Sequence, residues 1–205
     1  VQQSSGAGSQ TLLGASFADA NTGYVCGING LILKTSNGGS NWNPLTTGTT
    51  KFIRTIKFVN SQTGYAAGEA GLILKTTNGG ANWLNQSLSI SSAFVNINFV
   101  DSETGTATGQ NGIIYGTTNG GTNWNAQASN TSVEITGVFF VNVITGYCTG
   151  FSGTILKTTN GGANWNALTS GTTSDLRAVY FTNENTGYVC GYNGTILKTT
   201  DAGLN

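Results

Sequence analysis

The chain has no histidine, no methionine, one proline and three cysteines, and its only arginines are Arg54 and Arg177. Each scarcity closes off a class of function. Without histidine there is no Ser-His-Asp or Cys-His catalysis, and the commonest metal ligand is missing. Eight basic and eight acidic residues balance to zero, with no run of either sign. Nucleic acid and anionic membranes both need a basic stripe, so neither is an expected partner. No apolar run approaches the roughly 18 residues of a spanning helix, and the opening VQQSSGAGSQ lacks the charged-then-apolar pattern of a signal peptide. A chain without methionine does not begin at an initiator residue, so a monomeric domain excised from a longer precursor is expected. The low Lys and Arg content and the Asn/Thr/Gly-rich turns suggest an extracellular or cell-surface location.

Three cysteines do not make a disulfide framework. Cys26 and Cys190 fall at the same position of a 41-residue period, and Cys148 one residue earlier in its own. Stacked sheets stand ~10 Å apart, beyond the Cα separation of about 7 Å that a disulfide tolerates. All three are expected to be buried free thiols acting as small apolar side chains.

What the chain does contain is repetition. Thr35-Ser36-Asn37-Gly38-Gly39-Ser40-Asn41-Trp42 returns as TTNGGANW ending at Trp83, TTNGGTNW ending at Trp124 and TTNGGANW ending at Trp165. A fifth copy begins at Thr199-Thr200-Asp201-Ala202-Gly203. Five units of 41 residues span the chain: 1–41, 42–82, 83–123, 124–164 and 165–205. A period of that size marks a repeat architecture, read here as one domain over 1–205. With 31 glycines the composition alone would suggest disorder, but the apolar residues are strictly placed, so the chain should fold.

Within a unit, Leu176-Arg177-Ala178-Val179-Tyr180-Phe181 alternates like a strand, and Phe recurs at 17, 58, 99, 140 and 181. An Asx-led turn and a second strand, Tyr188-Val189-Cys190-Gly191, follow. Asn193-Gly194 then signals a tight type I′ hairpin, matched by Asn29-Gly30 and Asn111-Gly112, with Ala70-Gly71 and Ser152-Gly153 keeping only the glycine. The third strand, Thr195 to Thr199, runs into the Asx-Gly-Gly turn, and a fourth follows the Trp, as in Trp165-Asn166-Ala167-Leu168. Four short antiparallel strands per 41 residues predict an all-β fold, a five-bladed β-propeller. The ring is expected to be closed by the N-terminal strand, Val1 to Ser4, pairing with the last blade and removing both exposed edges.

The TTNGGANW element resembles the Asp-box, or bacterial neuraminidase repeat, with pattern Ser/Thr-x-Asp-x-Gly-x-Thr-Trp. Asn37, Asn78, Asn119 and Asn160 stand for the Asp, and Asp201 keeps it. The surrounding TGYVCGYNGTILKTTDAG looks more like the photosystem II assembly-factor type of propeller and related repeats of secreted bacterial surface proteins. That resemblance implies a peripheral hairpin between third and fourth strands, away from any catalytic centre. Trp42, Trp83, Trp124 and Trp165 then read as structural staples rather than sugar platforms. One Asx per copy offers too little charge for Ca²⁺, so no metal or cofactor is expected. Sialidases of this resemblance use three Arg, a Tyr–Glu pair and an acid Asp, and two arginines cannot supply the triad.

Comparing the copies locates positions that the scaffold does not dictate. Before the second hairpin turn stand Ile28, Glu69, Gln110, Phe151 and Tyr192. Early in the first strand stand Leu13, Arg54, Val95, Thr136 and Arg177. Strand direction puts both sets at the end of the blades opposite the Asp-boxes. Glu69, Gln110, Phe151, Tyr192, Arg54 and Arg177, with Glu134 and Asp175 nearby, form the candidate binding face. The expected function is a non-catalytic interaction scaffold for a protein or surface polymer. The alternative is a glycan-binding lectin, and a glycoside hydrolase ranks below both.

Overall fold

The computed structural model describes residues 3–204. Four antiparallel sheets have four strands each, and a fifth has three. Blade one is β1 (Leu12–Phe17), β2 (Gly23–Gly27), β3 (Ile32–Thr35) and β4 (Asn43–Leu45). Blade two is β5 (Ile53–Phe58), β6 (Gly64–Gly68), β7 (Ile73–Thr76) and β8 (Leu84–Asn85). Blade three is β9 (Phe94–Phe99), β10 (Gly105–Gly109), β11 (Ile114–Thr117) and β12 (Asn125–Gln127). Blade four is β13 (Ile135–Phe140), β14 (Gly146–Gly150), β15 (Ile155–Thr158) and β16 (Asn166–Leu168), and blade five is β17 (Leu176–Phe181), β18 (Gly187–Gly191) and β19 (Ile196–Thr199). Every sheet is a simple up-and-down meander in chain order, the blade of a β-propeller. Single 3₁₀ turns at Ile28–Gly30 and Gln110–Gly112 are the only helical segments among the described residues.

Closure by Val1 to Ser4 involves Val1 and Gln2, which lie outside the described residues; Gln3 and Ser4 are not in a strand. The chain divides into two compact units, residues 1–97 and 98–205. In the first, Tyr24, Cys26, Ile32, Ile53, Ile56, Phe58, Ala66, Leu72 and Leu74 form one buried cluster between blades one and two. In the second, Ile114, Ile135, Val138, Phe140, Cys148, Leu156 and Trp165 do the same around blade four. Strands covered by neighbouring sheets carry apolar residues at successive positions, as in the ILKT of β3, β7 and β15; β19 has the same four residues with Ile196 exposed. Only β11 departs, reading IYGT.

The hairpin signal is realised in full. Asn29 and Gly30 have φ of 57° and 69°, Asn193 and Gly194 of 55° and 69°. Ala70 and Ser152 are driven to the same left-handed region, at 47° and 54°, because the turn geometry outweighs their preference.

Four of the first strands, β1, β5, β13 and β17, also start with a bulge that the sequence does not announce. The register skips one residue between Leu12 and Gly14, Ile53 and Thr55, Ile135 and Gly137, and Leu176 and Ala178. The extra residues are Leu13, Arg54, Thr136 and Arg177, so a ladder-free position explains why this site varies between copies. The glycine ending each second strand allows the backbones to close in: a Cβ on Gly68 would overlap the Phe52 carbonyl oxygen, and one on Gly191 that of Asp175.

Candidate functional site

At one end of every blade lies the Asp-box. In blade one the Thr35 hydroxyl accepts from Gly39 N at 2.9 Å and donates to Asn37 Oδ1 at 2.9 Å; that oxygen also accepts from Asn41 N at 2.9 Å. Blades two, three and four repeat the set with Thr76 and Asn78, Thr117 and Asn119, and Thr158 and Asn160. In blade five Asp201 receives Thr199 Oγ1 at 2.7 Å and Leu204 N at 3.1 Å. Sequence reasoning singled out the Asx and missed the threonine, though its presence in all five copies was the available signal. The tryptophans are packing elements: Trp42, Trp83, Trp124 and Trp165 meet Phe17, Phe58, Phe99 and Phe140 edge to face at 5.8–6.2 Å.

The boxes also receive the preceding blade. Tyr24 stacks on Phe58 with ring centroids 3.5 Å apart, and its hydroxyl donates to the Gly79 carbonyl at 3.1 Å. Lys34 donates to the same carbonyl at 2.9 Å. Blade four repeats this clamp on blade five: Tyr147 stacks on Phe181 at 4.0 Å, and Tyr147 and Lys157 donate to the Ala202 carbonyl at 3.0 and 2.8 Å. Burial pushes both tyrosine hydroxyls above their ordinary pKa, and Asp19 adds to the effect at Tyr24. Asp19 is itself held below the usual carboxylate range by the N–H groups of Thr22 and Asn21.

The opposite end carries the variable residues. In the second unit, blades four and five bring Phe151, Arg177, Tyr192 and Asp175 together. The Arg177 guanidinium lies 4.7 Å from the Phe151 ring centroid and 4.4 Å from that of Tyr192, and it donates to the Tyr192 hydroxyl. Tyr192 is 53% exposed. Asp175 accepts from Ser152 N at 3.0 Å through its carboxylate and from Tyr192 N at 2.8 Å through its carbonyl. The Glu134 carbonyl accepts from Phe151 N at 3.0 Å. These three bonds fix the hairpin tips that bear the two rings. Gln110 sits in the 3₁₀ turn of blade three. In the first unit Glu69 uses its carboxylate to cap Phe52 N at 3.2 Å, and the Nε of Arg54 is buried without a hydrogen-bond partner. Thr136, at the same bulge position, is buried and donates to the Leu176 carbonyl. The bulge thus serves packing in some blades and display in others.

No group of three or more acidic, Cys or His side chains could hold a metal among the described residues. Of the thiols, Cys26 and Cys148 are buried as expected, but Cys190 is exposed. The reason is local: the face of blade five bearing Cys190 also exposes Tyr188 and Ile196, whereas their counterparts Tyr24 and Ile32 are fully buried against blade two. Burial pushes Cys26 up to about 12 and Cys148 well above its ordinary value. Unfolded thiols ionise near 9. The stabilisation from keeping both buried thiols protonated is therefore complete below that pH and is lost as pH rises from there through the folded values. A thiol reagent near pH 8 should modify Cys190 in the native protein, and Cys26 and Cys148 only after denaturation. Rapid modification of all three would contradict the packing.

No curated protein matches the chain in sequence. Solved structures of similar fold include "YCF48 bound to D1 peptide", 17% identical, with TM-score 0.54 over 98% of this chain and 95% of that one. YCF48 from Cyanidioschyzon merolae is 16% identical, with TM-score 0.53 over 94% of this chain and 95% of that one. A GH74 enzyme of Niastella koreensis gives TM-score 0.78 at 17% identity over 95% of this chain, which spans 37% of that enzyme. Identities this low show the fold alone. The family model for the photosynthesis system II assembly factor YCF48 matches residues 6–142, well over half of the sequence. With its boxes and blades matching that pattern, the chain belongs to the YCF48 assembly-factor family.

Proposed function

We propose that this chain is a non-catalytic scaffold that binds a segment of a partner protein at the hairpin end of blades four and five. The observation that carries this reading is the Phe151–Arg177–Tyr192 stack. The guanidinium is layered between two rings, at least one of them well exposed, and no carboxylate of the described residues lies within ion-pair distance of it. Cation–π contact holds the arginine in place without neutralising it, leaving its charge for an acidic side chain or a carboxylate brought by the partner. Aromatic and arginine side chains are also the commonest anchors of protein interfaces. The nearby Asp175 carboxylate is engaged in holding the blade-four hairpin through Ser152 N, which supports binding over acid–base chemistry.

A relative solved with a D1 peptide supplies a first probe. Arg177→Ala is expected to weaken binding of that peptide by at least about tenfold, the equivalent of 1.4 kcal/mol, with the unfolding midpoint unchanged. Tyr192→Ala should weaken it as well. Fluorescence anisotropy with a labelled peptide reads the effect, and equal affinity of wild type and Arg177→Ala would remove the site from consideration.

A further inference from the structure

The clamp that joins blade one to blade two and blade four to blade five is missing from blade three. Where the other blades have Tyr24, Tyr65, Tyr147 and Tyr188, blade three has Thr106; where they have Lys34, Lys75, Lys157 and Lys198, it has Gly116. Both large side chains are absent from the same junction. Gln127 partly replaces them: its amide fills the space over Gly116, where a Cβ would overlap it, donates to the Gly161 carbonyl at 3.3 Å and accepts from Trp165 Nε1 at 3.0 Å.

Gln127 takes the place of the lysine and not of the tyrosine ring. A cavity of about 230 Å³ remains between blades three and four, lined among others by Thr106, Gly116, Thr117, Gln127, Phe140 and Gly161. Val143 and Asn160, both exposed, stand at its rim. It exceeds the ~150 Å³ of an engineered apolar cavity that takes up benzene.

Three features of its wall are unspent. Phe140 contacts Trp165 by its edge, and no ring stacks on its face, whereas Phe58 and Phe181 are each covered by a tyrosine. The Gly161 carbonyl has one long hydrogen bond where its counterpart at Ala202 has two shorter ones. The Thr106 hydroxyl, on a residue only 4% exposed, has no hydrogen-bond partner among the described residues.

The geometry points to a binding slot for a phenol ring at the junction of blades three and four, with the ring stacked on Phe140 and its hydroxyl donating to the Gly161 carbonyl. The protein supplies the template itself: Tyr147 makes this pair of contacts, on Phe181 and Ala202, one blade later. The Thr106 hydroxyl offers a further donor or acceptor to the ring's substituents. A tyrosine side chain of a bound polypeptide and a free phenolic compound share this chemistry. The slot lies at the Asp-box end, so it is distinct from the Arg177 site and stands or falls separately from it.

The test uses the whole chain labelled with ¹⁵N. p-Cresol and N-acetyl-tyrosinamide are titrated in, and amide resonances of Thr106, Gln127, Phe140 and Gly161 are followed. Saturable shifts confined to this group are expected, strong for p-cresol, weaker for toluene and absent for a methyl glucoside. A tyrosine-containing peptide that shifts the same amides more tightly than p-cresol assigns the source to a polypeptide; p-cresol binding without a gain for the peptide assigns a free phenol. Thr106→Tyr, which refills the slot from within, should abolish the shifts and raise the unfolding midpoint. Should that variant fold poorly, Thr106→Tyr/Gly116→Lys/Gln127→Leu installs the complete set found in blade four. Thr106→Val tests the hydroxyl alone and should weaken binding severalfold. No saturable shift, shifts that survive the refilled slot, or a preference for the glucoside would overturn the assignment.

Discussion

Tyr147→Ala should destabilise the protein by about 3–5 kcal/mol, the loss typical of deleting a fully buried aromatic side chain. The ring is 1% exposed and stacked on Phe181, and its hydroxyl serves a carbonyl of the next blade, so both packing and a hydrogen bond disappear. Tyr147→Phe separates the two contributions. It keeps the stack and leaves Lys157 to satisfy the Ala202 carbonyl, so about 1 kcal/mol is expected. Tyr188 provides the control: it has the same residue type and repeat position but is 40% exposed, and Tyr188→Ala should cost under ~1 kcal/mol. Urea unfolding of the three variants reads the series, and equal losses at Tyr147 and Tyr188 would show that the clamp carries no stability.

The second large effect separates backbone strain from space. Gly153 and Gly194 hold the same turn position in successive blades, both with φ of 69°. A Cβ on Gly194 meets nothing within 4 Å, so Gly194→Ala should cost about 1–2 kcal/mol, the price of a left-handed alanine. On Gly153 the same atom would overlap the Thr172 carbonyl oxygen, a main-chain group that cannot rotate away. Gly153→Ala must also push apart the loop entering blade five, where Gly153 N donates to the Ser174 carbonyl at 2.9 Å. Its loss should exceed that of Gly194→Ala by about 2 kcal/mol or more, within the range for overpacking a fitted site. Similar midpoints for the two variants would mean that the loop yields easily.

The strand order, the hairpin turns and the box were legible in the sequence because each depends on residues close together in one unit. Asn193 with Gly194, or Thr158 with Asn160, needs no partner from elsewhere. The clamp was not legible, since Tyr147 and Lys157 act on Ala202, 55 and 45 residues on, and periodicity does not say which blade lies against which. The candidate face was half legible. Variation between copies found Phe151, Arg177 and Tyr192, but the same criterion also gathered Arg54, whose Nε is buried without a hydrogen-bond partner, and Glu69, whose carboxylate caps Phe52 N. The exposure of Cys190 escaped because its counterpart Cys26 is buried by a neighbouring blade, a circumstance the residue itself does not encode. The slot beside Thr106 rests on two small residues, and their meaning emerges only when the other junctions show what they replace.

Four of the five third strands are the identical tetrapeptide ILKT, so nothing in the ladder tells one from another while the protein is assembling. An incoming outer strand can dock on the wrong twin, skipping a whole module or borrowing one from another molecule, and every hydrogen bond will still be made. The odd tetrapeptide IYGT of β11, with Gln127 shaped to Gly116, breaks that degeneracy at the midpoint of the chain. Rewriting IYGT as ILKT is therefore expected to raise the share of strand-exchanged, oligomeric species on refolding, read by size-exclusion chromatography.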